Sequence, residues 1–214
     1  KLSDGDGGML HAAWEAYAMA MEKADTGNEL VAVIKDIVSK HPAHASASSD
    51  NFCVYFGRDT RPHSPRLAKM AIGGAKAMGA RVVDLGIVTT PQLHHVVYSV
   101  SRSENEWASV DGYSSKVEGA FRALLSTAAG VSKCNGTLEI DCAFGVGSRG
   151  ISPLVAKLKD VLDIKLRNTC DDPSGELNSG CGAEFVQKKR LAPAGTDPGK
   201  DSGLRFASFD GDAD

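Results

Sequence analysis

The sequence predicts an α/β fold made of two layered units, each with a mixed sheet flanked by helices. Short apolar segments typical of buried strands alternate with longer segments whose apolar residues recur at helical spacing. Apolar residues make up 42% of the 214 residues and charged residues 24%, a balance that suits a packed core. The alternation starts afresh after a stretch of small and polar residues. We therefore predict a first domain over residues 1–130 and a second over residues 131–214.

Residues 9–40 are predicted to form two helices. In the first, apolar residues recur at steps of three and four and so share one face, namely Leu10, Trp14, Tyr17 and Met21. The second begins at Thr26, because Thr26 and Glu29 have the spacing of a capping box. Pro42 disfavours helix in the residue before it and ends this helix. Its inward face is predicted to contain Leu30, Ile34 and Ile37.

Strands and helices then alternate through the rest of the first domain. Apolar segments predict strands over residues 52–56 and 82–88. Two helices are predicted to begin at Ser64-Pro65 and Thr90-Pro91, since proline is favoured in a first helical turn. A third helix is predicted from an apolar face that comprises Tyr113, Val117, Phe121 and Leu124.

The predicted second domain opens with a strand over residues 137–142, in which apolar and polar residues alternate. A helix is predicted to begin at Ser152-Pro153, and a further strand contains Ile164 and Leu166. Residues 171–203 are rich in loops, with one short helix near residues 184–189. A last strand over residues 206–209 runs into an acidic segment.

Charge and composition exclude several functional classes. The net charge is −3, from 24 basic and 27 acidic residues, which argues against a broadly basic nucleic-acid surface. No apolar run approaches the ~18 residues that a membrane span requires. The five cysteines are scattered without C-x-x-C spacing, a pattern that favours reduced thiols in a cytoplasmic protein over disulfides or a zinc site.

The sharpest local signal is the segment Asp210-Gly211-Asp212-Ala213-Asp214. Its carboxylates alternate with small residues, so they can converge on one side of an extended loop. Carboxylate oxygens are hard ligands that suit Mg²⁺ or Ca²⁺, and a cation would relieve their mutual repulsion. The three aspartates are therefore candidate metal ligands. The alternative is a solvated acidic end without a bound ion.

A second candidate site is the segment Gly57-Arg58-Asp59-Thr60-Arg61, between a predicted strand and a predicted helix. In open α/β sheets ligands bind at this end of the strands. Arg58 and Arg61, together with loop amides, predict a phosphate site. The alternative is that Asp59 pairs with a neighbouring arginine and braces the turn.

Three glycines, Gly145, Gly147 and Gly150, have the spacing of a dinucleotide-binding fingerprint. However, Arg167 and Asn168 stand where that fingerprint requires an acidic residue after the next strand. We therefore predict a structural role for these glycines.

Taken in order, these motifs resemble the phosphoacetylglucosamine mutase family of the α-D-phosphohexomutase superfamily. The resemblance covers nearly the whole chain and is carried by the segments Gly7–Leu10, Trp14-Glu15, Gly57–Pro62, Leu85–His94, Asp111–Tyr113, Asp141–Ala143, Gly175–Asn178, Cys181–Ala183 and Ser208–Asp214. The segments Thr89–His94 and Gly175–Ala183 favour the acetylhexosamine branch over ordinary phosphoglucomutases.

The resemblance implies reversible conversion of N-acetylglucosamine 6-phosphate into the 1-phosphate, on the route to UDP-N-acetylglucosamine. In that reaction a phosphorylated serine gives its phosphoryl group to the sugar, and the bisphosphate intermediate returns the other one. Mg²⁺ is the implied cofactor, held by Asp210, Asp212 and Asp214, with Arg58 and Arg61 near the reacting phosphate. The implied partner is a phosphorylated N-acetylhexosamine rather than a nucleic acid or a membrane, and a monomer is favoured.

The sequence departs from the family pattern in several places. The serine is expected in a segment upstream of Lys1, an arginine is expected directly after Asp214, and Phe144 stands where the family usually has asparagine. We therefore expect a part of a longer enzyme that is inactive by itself and carries no catalytic nucleophile. The alternatives are a phosphoglucomutase or phosphomannomutase of the same superfamily, or a non-catalytic module that binds Ca²⁺ in the acidic loop.

Overall fold

The chain has the α/β fold that the sequence predicts. A computed structural model describes residues 15–24, 26–40, 53–128, 132–197 and 199–213. Within these residues the helices are α1 (residues 15–22), α2 (Gly27–Lys40), α3 (Ser64–Ala77), α4 (Thr90–Ser101), α5 (Val110–Thr127), α6 (Gly147–Leu158) and α7 (Ala183–Lys189). The strands are β1 (Cys53–Arg58), β2 (Arg81–Ile87), β3 (Thr137–Asp141), β4 (Asp163–Arg167) and β5 (Arg205–Ser208).

The chain divides into two compact units. The described residues up to Val54, together with Lys69–Val83, form the first unit. Tyr55–Ala68 and the residues from Asp84 onwards form the second unit. The elements β1, β2 and α3 therefore contribute residues to both units.

In the first unit, α2 begins with the predicted capping box. Thr26 N donates to Glu29 Oε2 at 3.1 Å, and Glu29 N donates to Thr26 Oγ1 at 3.2 Å. Ile34 and Ile37 are half-buried as predicted, whereas Leu30, in the first turn, is exposed. The predicted α1 face begins at Leu10 and Trp14, which lie outside the described residues.

In the second unit, β3 is the central strand of a three-stranded sheet with the order β4-β3-β5. Both pairings are parallel, whereas the sequence predicted a mixed sheet. In this register Ile140 of β3 pairs with Leu166 of β4 and with Ala207 of β5. Neighbouring β3 residues such as Glu139 and Ile140 are both buried, so neither face of the strand is solvated. The predicted alternation along β3 therefore does not separate an inner from an outer face.

The hydrophobic core of this unit lies between α5, α6 and the sheet. Leu158, Val161 and Leu162 form its centre. Phe121 and Leu125 of α5 pack against them, while Leu124, predicted for the same face, is 69% exposed. The inward position of the last α5 turn thus belongs to Leu125 rather than Leu124.

Helix α6 begins at Gly147, earlier than the predicted start at Ser152-Pro153, and Pro153 lies inside it. The prediction was wrong because tertiary packing decides this helix start. A Cβ atom at Gly147 would lie 2.8 Å from Phe209 Cδ2, and one at Gly150 would lie 2.7 Å from Thr89 Cγ2. The two glycines allow the first turns of α6 to approach neighbouring segments that a side chain would keep apart.

Helix α4 begins at Thr90, as predicted, and Thr89 caps it with a capping box. Thr89 N donates to Gln92 Oε1 at 3.0 Å, and Gln92 N donates to Thr89 Oγ1 at 3.4 Å. Gln92 Nε2 also donates to Gly150 O at 3.1 Å, which ties the start of α4 to α6.

All five cysteines are free thiols.

None of the helices in the described ranges combines the length and the hydropathy needed to cross a bilayer.

Candidate functional site

The acidic loop, residues 209–213, follows β5 at the carboxyl end of the parallel sheet. Backbone hydrogen bonds hold it from two sides. Ala183 N donates to Phe209 O at 2.7 Å, and Val146 N donates to Gly211 O at 3.1 Å. The loop is thus fixed by main-chain contacts that do not depend on a bound ion.

Gly145 lies directly against this loop. A Cβ atom at Gly145 would lie 2.2 Å from Gly211 O and 2.7 Å from Gly211 C. Only a residue without a side chain allows these two backbone segments to come so close. Of the three glycines that resemble a dinucleotide fingerprint, Gly145 and Gly147 therefore pack against the acidic loop, whereas Gly150 packs against Thr89.

The structure describes two of the three predicted metal ligands. Asp210 Oδ1 accepts a hydrogen bond from Ala213 N at 2.9 Å, and Ala213 turns the loop with φ +52°. Asp212 Oδ2 accepts one from Arg61 Nη2 at 2.9 Å. Asp214 lies outside the described residues, and within those residues no three His, Cys, Asp or Glu side chains are placed to hold a metal ion. The three-aspartate site stays a prediction.

The donor chemistry at this loop nevertheless fits Mg²⁺. Asp210 and Asp212 offer hard carboxylate oxygens from a loop with a fixed backbone, and the Asp212 side chain is 30% exposed. A cation therefore has access to this carboxylate.

Arg61 links the β1–α3 loop to the acidic loop. Its Nη2 contacts Asp212, and its Nη1 forms an ion pair with Asp59 Oδ2 at 3.0 Å. Asp59 Oδ1 in turn accepts hydrogen bonds from Arg61 N at 3.0 Å and from Ser64 Oγ. The bracing role that the sequence left open for Asp59 is thus present, and Asp59 also holds the arginine that contacts a candidate metal ligand.

Arg58 lies beside the same cavity. Its Nη1 stands 3.7 Å from Asp84 Oδ1, and its Nε is buried with no hydrogen-bond partner among the described residues. A polar cavity of about 200 Å³ is lined by Arg58, Arg61 and Asp212, together with loop and helix-start residues. Two guanidinium groups and a candidate metal ligand therefore line one cavity, an arrangement that suits a phosphate beside a cation.

A second cavity of about 200 Å³ also borders the acidic loop and is lined by residues of α4, α5 and α6. Its lining is mainly apolar and contains Tyr113, Val117, Leu154 and Phe209. The Ser114 hydroxyl on its wall is buried and has no hydrogen-bond partner among the described residues. Among the described residues, those that line this cavity carry no charge, so the lining seen there does not suit a phosphate.

Sequence reasoning missed the role of Asp141, a buried carboxylate at the end of β3. Its Oδ1 accepts hydrogen bonds from Ala143 N at 3.0 Å and Asn168 Nδ2 at 2.9 Å. Its Oδ2 accepts them from Gly182 N at 2.8 Å and Ser208 Oγ at 2.5 Å. The available signal was an acidic residue at the end of a predicted strand, between the apolar residues Ile140 and Cys142. Asp141 thus joins β3 to the segments on both sides of the acidic loop.

The buried cysteines beside Asp141 are not reactive centres. Burial raises the pKa of the Cys142 thiol to about 12, with a further contribution from the Asp141 charge. The same two causes, burial first, raise the pKa of the Cys181 thiol to about 11. Both thiols therefore stay protonated at neutral pH and are poor nucleophiles.

Comparisons with known proteins agree with this geometry. A family model described as phosphoglucomutase/phosphomannomutase, α/β/α domain I, matches residues 19–103. The phosphoacetylglucosamine mutase of Oryza sativa subsp. japonica is 38% identical over 218 residues, and that of Homo sapiens is 35% identical over 219 residues. Each alignment covers 100% of this chain and 38% of the relative, so the chain spans well under half the length of these relatives.

Solved structures extend the match to the fold. N-acetylphosphoglucosamine mutase of Aspergillus fumigatus, in complex with GlcNAc-6P and magnesium, is 33% identical with a TM-score of 0.70, over 94% of this chain and 38% of that one. An N-acetylglucosamine-phosphate mutase of the α-D-phosphohexomutase superfamily is 30% identical with a TM-score of 0.76, over 94% of this chain and 42% of that one. This chain is similar over nearly its whole length to members of the α-D-phosphohexomutase superfamily. The resemblance seen in the sequence motifs is thereby confirmed.

Within the phosphohexomutases, the match to domain I includes the segment that carries Arg58 and Arg61. The matches that span the whole chain also include the acidic loop. These relatives are mutases, so they give no support to the alternative of a non-catalytic Ca²⁺ module.

Proposed function

We propose that this chain forms part of an enzyme that interconverts N-acetylglucosamine 6-phosphate and N-acetylglucosamine 1-phosphate, for UDP-N-acetylglucosamine synthesis. The reaction uses a phosphoserine and a sugar bisphosphate intermediate. The observation that carries the proposal is the cavity lined by Arg58, Arg61 and Asp212, because two guanidinium groups beside a carboxylate suit a phosphate next to a cation. Whole-chain similarity to phosphoacetylglucosamine mutases supports the choice of an acetylated hexose phosphate over glucose or mannose phosphates.

Each candidate residue has a defined role in this proposal. Asp210, Asp212 and Asp214 hold Mg²⁺, which neutralises negative charge during phosphoryl transfer. Arg58 and Arg61 bind and orient the phosphate on the same cavity wall, since guanidinium groups match phosphate oxygens in charge and geometry. The magnesium complex of the Aspergillus fumigatus relative supports the choice of metal.

The proposal also covers organisation and partners. Residues 1–130 belong to the serine-bearing first domain and residues 131–214 to the second domain, which ends in the metal loop. We propose, as the family resemblance implies, that the serine that carries the phosphoryl group lies in a segment upstream of Lys1. The substrate is a phosphorylated N-acetylhexosamine, and the enzyme acts as a cytoplasmic monomer without a nucleic-acid or membrane partner.

A coupled mutase assay tests this function in a protein that joins the chain to the serine segment and the sugar-binding region. With Mg²⁺ present, N-acetylglucosamine 6-phosphate should turn over faster than glucose 6-phosphate. Asp212→Asn should lower the rate by at least about 100-fold, because it removes a charged candidate metal ligand. It should change the free energy of unfolding by less than about 1 kcal/mol, since the Arg61–Asp212 ion pair that it breaks is partly exposed. Asp36→Asn, an exposed acid on α2, is the control and should leave the rate unchanged.

Three outcomes would contradict the proposal. Equal turnover of glucose 6-phosphate would favour the phosphoglucomutase alternative. Mutase turnover by the 214-residue chain alone would show that transfer does not need the serine. A loss of folding in Asp212→Asn as large as the loss of rate would make this carboxylate structural.

A further inference from the structure

We infer that Arg61 is a positioning residue for the metal loop: bridged between Asp59 and Asp212, it holds the Asp212 carboxylate in the orientation that Mg²⁺ requires. This inference rests on the proposed function, because it assumes that Asp212 is a metal ligand. It goes further by assigning Arg61 a role toward the metal in addition to its role toward phosphate.

The geometry divides the two oxygens of Asp212 between two tasks. Arg61 Nη2 donates to Asp212 Oδ2 at 2.9 Å. Within the described part of the chain, Oδ1 of the same carboxylate makes no hydrogen bond. One oxygen is thus fixed by the guanidinium, and the other is left as a ligand for a cation.

Arg61 is itself held from the opposite side. Asp59, whose side chain is only 14% exposed, contacts the Arg61 side chain through Oδ2 at 3.0 Å and its main-chain N–H through Oδ1 at 3.0 Å. Ser64 Oγ, at the start of α3, donates to the same Oδ1. Three residues of the β1–α3 loop and α3 thus form a rigid support for a carboxylate 151 positions later in the sequence.

The bridge requires the planar fork of arginine. A guanidinium presents its terminal nitrogens in fixed directions: here Nη2 donates to Asp212 and Nη1 forms an ion pair with Asp59. A lysine ammonium is instead a point charge on a flexible stem. Arg61→Lys therefore keeps the positive charge near the loop and removes the fixed geometry. This variant separates positioning from simple charge neutralisation.

The two candidate cations respond differently to lost geometry. Mg²⁺ demands near-ideal octahedral coordination, whereas Ca²⁺ accepts irregular oxygen cages with more ligands. If Arg61 acted by its charge alone, Arg61→Lys would leave the affinity for both cations unchanged, because lysine keeps the charge. A positioning effect should lower the affinity for Mg²⁺ and leave that for Ca²⁺ nearly unchanged.

The test is an NMR titration of the 214-residue chain with MgCl₂ and, separately, with CaCl₂, following the amides of residues 209–213. In Arg61→Lys the Kd for Mg²⁺ should rise about tenfold, while the Kd for Ca²⁺ changes by less than about twofold. Tenfold is the lower end of the loss of metal affinity caused by mutating a residue that orients a metal ligand. Without metal, the Ala213 amide, which donates to Asp210, should exchange faster with solvent than in the unmodified chain. Asp59→Asn should shift the Mg²⁺ affinity in the same direction, because it frees Nη1 of Arg61.

Arg149→Lys is the matched control, since Arg149 forms a similar surface pair with Asp171 at 2.7 Å and does not contact the acidic loop. It should change neither affinity. Mg²⁺ binding that Arg61→Lys leaves intact would overturn the positioning role while the proposed function stands. Equal weakening for Mg²⁺ and Ca²⁺ would also overturn the positioning role, because the loss would then not depend on the coordination geometry that distinguishes the two cations. If the unmodified chain binds neither cation at the loop, the metal assignment of the proposed function falls, and this inference falls with it.

Discussion

Replacing Gly145 by alanine tests how tightly the acidic loop is held. The added Cβ atom would lie 2.2 Å from Gly211 O, well short of the 3.0 Å that real Cβ contacts respect. The atoms it meets are backbone atoms, so no side chain can rotate away. The φ of Gly145 lies outside the left-handed region, so alanine adds no backbone strain and the effect comes from the contact alone.

The magnitude follows from two losses. Inserting a methyl group into a closely packed contact costs about 1–3 kcal/mol. The carbonyl that must move also accepts the hydrogen bond from Val146 N at 3.1 Å, and losing that bond costs about 1 kcal/mol more. We expect Gly145→Ala to lower the free energy of unfolding by about 2–4 kcal/mol and the melting temperature by about 4–16 °C.

Urea unfolding followed by circular dichroism measures this change. Gly119→Ala is the matched control, because Gly119 lies inside α5 with no atom near its Cβ position. There alanine should stabilise the protein by about 0.4–1 kcal/mol. If Gly145→Ala unfolds within about 0.5 kcal/mol of the unmodified chain, the acidic loop is not held by this close approach.

Three further predictions concern the sheet end and its surroundings. Asp141→Asn should lower the free energy of unfolding by about 2–4 kcal/mol, because an amide NH₂ group would face hydrogen-bond donors; an unchanged urea midpoint would contradict this. The raised pKa values of Cys142 and Cys181 keep these two thiols protonated at mildly alkaline pH. A thiol reagent should therefore label the three other cysteines first, and mass spectrometry of the labelled peptides measures this order. Arg167 holds the pKa of Asp201 below its ordinary 3.8, so this pair stabilises the fold above that pH and loses its effect as the pH falls below it. Asp201→Asn should therefore melt lower than the unmodified chain at neutral pH, with a difference that shrinks in acid.

Local signals predicted the local features of the fold. The capping box of Thr26 and Glu29 is present because its two residues recognise each other within one helical turn. The start of α4 was predicted from proline, although Thr89 and Gln92 also carry a capping box. The bracing of Arg61 by Asp59, two positions away, was one of the two alternatives that the sequence left open.

Features that depend on distant segments could not be predicted in this way. The start of α6 is set by contacts of its glycines with Phe209 and Thr89, so the local proline signal at Pro153 was misleading. The contact between Arg61 and Asp212 joins residues 151 positions apart. Sequence periodicity also does not decide between Leu124 and Leu125, which are adjacent on the helix, and only the packed core selects Leu125.

The carboxylate of Asp141 has a consequence for how this sheet assembles. Its four hydrogen-bond donors come from Ala143, Asn168, Gly182 and Ser208, which follow one another along the chain from β3 to the end of β5. An intermediate in which β3 and β4 had paired without β5 would bury a charge with part of its donors missing, a state that is costly in a low-dielectric interior. The last strand therefore completes the set, and β3, β4 and β5 should gain protection from hydrogen exchange together, as one cooperative unit.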